Sequence, residues 1–196
     1  MTIWNERYST EEFIFGKDPN QFFKQSIDKL CPGKILLPAD GEGRNAVYAA
    51  KVGWEVYAFD ASTVGKDKAL DLAEQEDVTI NYEVSLIEDF EPTPNTYDAI
   101  ALIFCHLPSP LKSPFFEKLV ESLAPGGLLI LEGFRKEQLG FASGGPKDPD
   151  MLFSSEQLAN DFKLLSKLNI TEETVWLDEG PGHQGEAKVV RLLGKK

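Results

Sequence analysis

The sequence predicts an α/β fold: a doubly wound sheet, mostly parallel with an antiparallel last strand, with helices on both faces. Three observations predict it. Apolar runs of strand length alternate along the chain with stretches of helical periodicity. One run, Tyr97-Asp98-Ala99-Ile100-Ala101-Leu102-Ile103-Phe104, is almost wholly apolar, as a central parallel strand covered on both faces must be. Finally, Ile35-Leu36-Leu37-Pro38 breaks into the small-residue turn Ala39-Asp40-Gly41-Glu42-Gly43, and a helix-forming segment, Arg44 to Lys51, follows at once.

The elements follow in order. Trp4 to Phe15 is polar and aromatic without alternation, and Gly16-Lys17-Asp18-Pro19-Asn20 is a turn cluster. Phe22, Phe23, Ile27 and Leu30 recur at helical spacing until Pro32-Gly33 stops the helix. Residues 1–32 therefore read as a cap segment and helix ahead of a core at 33–196. Gly53 precedes a second strand, Trp54 to Asp60, and Ser62 caps a helix through Ala69, Leu70, Leu72 and Ala73. Val78 to Val84 is a third strand; Pro92 and Pro94 mark a loop before the central one. Pro108 and Pro110 open a helix carrying Phe115, Phe116, Leu119, Val120 and Leu123, and Pro125-Gly126-Gly127 turns into Leu128 to Leu131. The glycine- and proline-containing loop from Gln138 to Asp150 has the length and composition of an active-site lid. Ser154-Ser155-Glu156-Gln157 starts a short helix through Phe162. Two strands close the chain, near 170–177 and 187–193, joined across Gly180 to Gly185. No repeat, low-complexity tract or linker interrupts this order, so a single domain is expected.

Composition narrows the function. The 196 residues, 42% apolar and 27% charged, are those of an ordinary soluble globular protein. No apolar run approaches the roughly 20 residues that span a bilayer, and Met1 to Arg7 lacks the basic-then-apolar order of a signal peptide. Cys31 and Cys105 form neither a close pair nor a metal-ligand spacing, so reduced thiols, a cytoplasmic location and no metal are the expectation. A net charge of −12 without a basic stripe argues against nucleic acid and for a small molecule, neutral or cationic.

A strand that turns on glycines into a helix leaves backbone N–H groups unpaired at the helix start, with no Cβ to keep a ligand away. The next strand, Val56-Tyr57-Ala58-Phe59, ends in Asp60, which puts a carboxylate within reach of a ribose diol. A nucleoside-containing cofactor is the expected ligand. Pyrophosphate cofactors call for G-x-G-x-x-G; here the small residues fall at Ala39, Gly41 and Gly43, and Glu42 inside the turn is a poor companion for a pyrophosphate. The same turn is compatible with a ligand bearing an ammonium and a carboxylate, such as the methionine end of S-adenosylmethionine.

On these residues the chain resembles the class I S-adenosylmethionine-dependent methyltransferases, a Rossmann-like family, and is most similar to the tellurite-resistance-like small bacterial methyltransferases. Trp4-Asn5-Glu6-Arg7-Tyr8 with Phe15-Gly16 and Pro19-Asn20 resembles the segment that covers the cofactor in that group. Gly41-Glu42-Gly43-Arg44-Asn45, Phe59-Asp60-Ala61-Ser62 and Leu123-Ala124-Pro125-Gly126-Gly127-Leu128-Leu129 match its glycine turn, ribose-binding strand end and fifth-strand turn. The resemblance implies transfer of a methyl group to a small molecule by in-line displacement. Gly41 and Gly43 would lie under the methionine part and ribose, Asp60 with Ala61 at the ribose, and Leu86, Ile87 and the Glu88-Asp89 pair beside the adenine. Trp4 and Tyr8 would close over the cofactor and Arg7 would reach its carboxylate. Phe104-Cys105-His106 would meet donor and acceptor.

Two residues depart from the family pattern: Leu37 stands where an acidic residue is common and Ala39 where a glycine is, which leaves Asp40 to partner the cofactor ammonium. Within the expected pocket His106 is the first candidate for base or acceptor orienter, against a histidine packed before Pro108. His183 lies in a glycine-rich hairpin that folds over the pocket or, alternatively, stands as a solvated turn residue. Arg135 pairs with an anionic substrate or with surface acids; Phe141, Met151 and Phe153 wall an apolar pocket or fill core under the lid. Glu74, Glu76, Asp77, Glu172 and Glu173 read as solvated acidic surface. Two other functions stay open here: a non-catalytic protein of the same fold binding S-adenosylmethionine or S-adenosylhomocysteine, favoured by Leu37 and Ala39, and a nicotinamide-dependent oxidoreductase, disfavoured by the glycine spacing and the lack of a Tyr-x-x-x-Lys pair.

Overall fold

The computed structural model describes residues 3–196. Helix α1 (Ile3–Tyr8) and helix α2 (Gln21–Ile27) precede β1 (Lys34–Pro38), α3 (Arg44–Lys51) and β2 (Glu55–Asp60). Helix α4 (Thr63–Gln75), β3 (Asn81–Val84), β4 (Tyr97–Ile103), α5 (Ser109–Ser122) and β5 (Leu123–Phe134) follow. Helix α6 (Ser155–Asp161) and the hairpin β6 (Lys167–Asp178) and β7 (Gln184–Lys195) complete the chain.

The strands form one seven-stranded sheet in the order β3-β2-β1-β4-β5-β7-β6. β1 to β5 pair in parallel, whereas β7 is antiparallel to both its neighbours. The order reverses between β1 and β4, and a doubly wound sheet leaves a crevice at the carboxyl ends of the strands at that point. Period-two alternation sends Ile35 and Leu37 to a core with Phe23, Val47 and Ile130, and Leu36 to the opposite core with Phe116, Leu131 and Phe162. Capping fixes the helix starts. Ser62 accepts the Gly65 N–H ahead of α4, and Asn20 accepts the Phe23 N–H ahead of α2.

The differences from the expected elements have local causes. α1 spans six residues, too few to show a periodicity. The third strand is shorter at its start because the Val78 N–H returns to the Ala73 carbonyl at the end of α4. β5 begins ahead of the Pro125-Gly126-Gly127 turn, with a register skip between Tyr97↔Leu123 and Ala99↔Leu128. β6 and β7 pair along their whole lengths, but β6 is an edge strand with one half-buried face and carries no continuous apolar run. Among the described residues no helix is long and apolar enough to cross a membrane.

Candidate active site

A cavity of about 500 Å³ opens at the carboxyl ends of β1 and β4, within the range of small-molecule sites. Trp4, Arg7 and Tyr8 of α1 form one wall, and Ala39, Asp40 and Gly41 of the turn after β1 form its floor. Asp60 and Ala61 at the end of β2 and Ile87 flank it, as do Phe104, Cys105 and His106 after β4. Pro146, Lys147 and Asp148 come from the predicted lid, Met151 from just after it, and His183 from the β6–β7 turn.

The glycine turn divides its work. At Gly41 (φ +57) an added Cβ would lie 2.5 Å from the Tyr8 hydroxyl, so the residue keeps the turn and α1 in contact across the cavity. Gly43 (φ +83) lies outside the cavity. An added Cβ there would lie 2.3 Å from Ala69 Cβ, so this glycine lets α3 pack on α4. Ala39 is also left-handed, at φ 53, where a Cβ costs roughly 1–2 kcal/mol.

Asp60 Oδ2 accepts the Gly41 N–H at 3.1 Å and Oδ1 accepts the Ser62 N–H at 2.8 Å. Each oxygen keeps a lone pair for a further donor. Burial raises its pKa against those backbone donors. Asp40 Oδ1 accepts from Asn45 Nδ2 at 3.1 Å and Oδ2 from the Ala46 N–H at 3.0 Å. Burial pushes its pKa up to about 7, with the Ala46, Asn45 and Arg44 contacts opposing. Leu37 is buried in the core and does not face the cavity; of the two carboxylates on this turn that line it, Glu42 is held by Lys68 and the Ile14 N–H, which leaves Asp40 for a ligand.

The cover over the site is tied down by buried ion pairs that hydrophobic spacing does not reveal. Glu42 accepts the Ile14 N–H at 2.8 Å and pairs with Lys68 Nζ. Lys68 also donates to the carbonyls of Glu12 at 2.8 Å and Thr10 at 3.0 Å. Arg44 donates to the Phe15 carbonyl at 2.8 Å and to Glu179 at 2.8 Å. Asn20 bridges Glu179 and the fully buried Glu132, which pairs in turn with Arg191. Glu42 and Arg44 stand inside the motif read from the sequence; their partners, far along the chain, had no local signal.

The two histidines differ. His106 is held through both ring nitrogens: Nδ1 donates to the Met151 carbonyl at 2.9 Å, and Nε2 accepts the Phe134 N–H at 3.1 Å. Desolvation lowers its pKa to about 4. No nitrogen is left to take a proton, which corrects the expectation of a base at this position; the ring, stacked on Phe153 at 4.9 Å, braces β5 and the segment at Met151. His183 is 5% exposed and is not a solvated turn residue. Its ring lies 4.4 Å from those of Phe15 and Phe104 and in the cavity wall. Phe104 itself sits at φ 51, a strained backbone at the tip of β4.

Five predicted site residues lie outside the cavity. Besides Gly43, Leu86 is exposed beside Ile87. Arg135 is engaged with Glu172 at 2.5 Å and Glu137 at 3.6 Å. Phe141 is exposed beneath Lys188 Nζ, and Phe153 is fully buried behind His106. Glu172 and Glu173 are ion-paired with Arg135 and Arg191 rather than simply solvated. Trp4 stacks on Tyr8 at 5.4 Å, and the Arg7 guanidinium lies 5.1 Å from the Trp4 ring and 5.3 Å from that of Phe15.

Residues 35–127, which hold the turn, the Asp60 strand and the central strand, match the model of a methyltransferase domain. The matched segment is a little under half of the chain; with the fold it supports a class I S-adenosylmethionine-dependent methyltransferase. Among solved structures it is similar to TehB from Haemophilus influenzae, with a TM-score of 0.72 at 19% identity over 98% of this chain and 65% of that one. It is similar also to the N-methyltransferase NodS from Bradyrhizobium japonicum, with a TM-score of 0.69 at 12% identity over 97% and 94% of the two chains. Phosphoethanolamine N-methyltransferase 2 from Haemonchus contortus, in complex with S-adenosyl-L-methionine, gives a TM-score of 0.72 at 17% identity over 98% and 56%. At these identities the likeness speaks for the fold. No curated protein sequence matches the chain.

Proposed function

We propose that the protein methylates a small molecule that enters beside the tip of β4, with the amino-terminal segment from Ile3 to Gly16 and the 138–150 loop covering the pocket. The observation carrying this reading is that Asp40 and Asp60, on adjacent strand ends, face one cavity whose remaining wall is largely apolar. Asp60 offers two acceptor oxygens to a ribose diol, its carboxylate held in place by the Gly41 and Ser62 amides. Asp40 partners an ammonium; a cation there favours the charged carboxylate and draws its pKa down from about 7. Arg7 takes a carboxylate, and Ile87, Phe59 and Phe104 flank a flat base. The donor set and shape therefore fit S-adenosylmethionine, which when bound supplies a methyl group already activated on a sulfonium.

The task left to the chain is to align the acceptor and exclude water. Phe104, Phe134 and Met151 provide a dry wall, and the ion-paired cover closes it. The match to a methyltransferase domain weighs against the oxidoreductase reading. Free Cys31 and Cys105 support a reducing, cytoplasmic setting as part of the proposal.

The test is turnover. Pure protein is incubated with S-adenosylmethionine and a panel of small thiols, amines and metalloid oxyanions, and S-adenosylhomocysteine is measured by mass spectrometry. Acceptor-dependent product is expected. S-adenosylhomocysteine binding with no turnover on any acceptor would contradict it and favour a non-catalytic binder.

A further inference from the structure

We infer that His183, positioned by Glu179, takes the proton from the methyl acceptor, so that the acceptor is an amine, thiol or hydroxyl whose attacking atom carries hydrogen. The inference rests on the methyltransferase reading of the same cavity.

The geometry differs from that of His106 in the respect that matters. His183 Nδ1 lies 3.5 Å from Glu179 Oε2. Glu179 is itself fixed, with Oε2 bound to Arg44 Nη2 at 2.8 Å and Oε1 to Asn20 Nδ2 at 3.0 Å. That carboxylate, with a pKa near 2, stays ionised and selects the Nδ1–H tautomer of the ring. Nε2 then carries the lone pair, and it makes no hydrogen bond among the described residues. A base held on one nitrogen by a carboxylate and open on the other is the arrangement general-base catalysis needs.

The surroundings aim the ring. Phe15 and Phe104 pack at 4.4 Å and Phe134 at 5.2 Å, placing the imidazole next to the strained tip of β4. In the lid, a Cβ on Gly144 would lie 2.7 Å from His183 Cδ2, so glycine there lets the loop close against the ring. The charged and titratable groups facing His183 are Glu179 from the hairpin turn, Arg44 from α3, Arg7 from α1, and His106. Burial and the two arginines disfavour the imidazolium and Glu179 favours it; the balance keeps the ring neutral at neutral pH.

The step balances. The acceptor lone pair forms the bond to the methyl carbon, the carbon–sulfur bond breaks with its electron pair left on sulfur, and the acceptor proton passes to Nε2. The imidazolium then loses it to water as the cover opens.

The protein has two histidines, His106 and His183, which makes ring NMR decisive without any substrate. In the free protein, with His106→Asn used for assignment, His183 is expected as the Nδ1–H tautomer at pH 7, with a titration midpoint below 6.5. An Nε2–H tautomer, or an imidazolium at pH 7, would overturn the inference. With an acceptor the wild type methylates, His183→Asn or His183→Gln is expected to lower kcat at least about 100-fold. Affinity for S-adenosylhomocysteine should stay within about twofold, and added imidazole should restore part of the rate. Unchanged kcat, or an equal loss of S-adenosylhomocysteine affinity, would reduce His183 to a packing role. If the wild type turns over no acceptor, the methyltransferase reading fails and the base role falls with it; turnover with a wrong tautomer or an unchanged kcat in the variants overturns the base role alone.

Discussion

Replacing Lys68 with methionine keeps most of the side-chain volume and removes the charge that fastens the amino-terminal cover. Its ammonium holds Glu42 and the carbonyls of Thr10 and Glu12, and the Glu42 side chain is only 3% exposed. Removing one partner of a buried pair costs about 3–5 kcal/mol because the other is left uncompensated. Lys68 is 15% exposed at its side chain, so water replaces part of what is lost, and the lower end, about 3 kcal/mol, is the expectation. For a chain of this size that lowers Tm by roughly 6–12 °C. Urea unfolding of the wild type, Lys68→Met, Glu42→Gln and the double variant measures it. The double variant should be less damaged than the sum of the singles by about 1–3 kcal/mol. Cleavage by a protease within residues 9–16 should accelerate in Lys68→Met, and S-adenosylhomocysteine affinity should fall because the cover must be ordered on binding. A stability change under about 1 kcal/mol with unaltered cleavage would refute the clasp, leaving a surface-type ion pair.

Ala39→Gly should raise the urea midpoint by the equivalent of about 0.5–1 kcal/mol, since glycine removes left-handed strain and returns part of it as chain entropy; a lower midpoint would show that Ala39 is unstrained. His106, with a folded pKa near 4 against 6.5 unfolded, lends stability that is complete above about pH 6.5 and is lost as the pH falls toward 4, since the unfolded chain takes the proton first. Asp40, raised to about 7, acts in the opposite direction over much of that range, so the comparison must be made against His106→Asn: between pH 7.5 and 5 the wild type should lose roughly 2 kcal/mol more than the variant. Equal pH dependence in the two would contradict the buried neutral imidazole. Glu179, whose pKa lies near 2, contributes stability at neutral pH that fades below about pH 4.5; Glu179→Gln should flatten that acid limb of a urea-stability profile.

Much of this molecule is legible in its sequence because the parallel strands are buried on both faces. Ile35 to Leu37 and Ala99 to Leu102 read as apolar runs, and the small-residue turn with Asp60 marks the ligand end of the sheet. What was hidden is polar and long-range. Nothing near Lys68 announces that it reaches Glu42 and the cover, nor near Glu179 that it meets Arg44, Asn20 and His183. The roles of the histidines were not separable from sequence either, because the fate of each ring nitrogen is set by backbone groups and carboxylates that only the fold brings near. Arg135 follows the cavity residue Phe134 but faces the other side of that extended segment, while Phe141 stands exposed in the loop and Phe153 packs behind His106.

Calorimetric titration with S-adenosylhomocysteine, wild type beside Asp60→Asn, tests the central claim most directly. Asparagine keeps the size of Asp60 while removing the charge, although it also weakens the hold on the Gly41 and Ser62 amides and so calls for a parallel melting curve. One site per chain is expected in the wild type, with affinity reduced about 10- to 100-fold in a variant that is still folded. A wild type that takes up no S-adenosylhomocysteine, or a folded variant that binds it equally well, would contradict the assignment of this cavity.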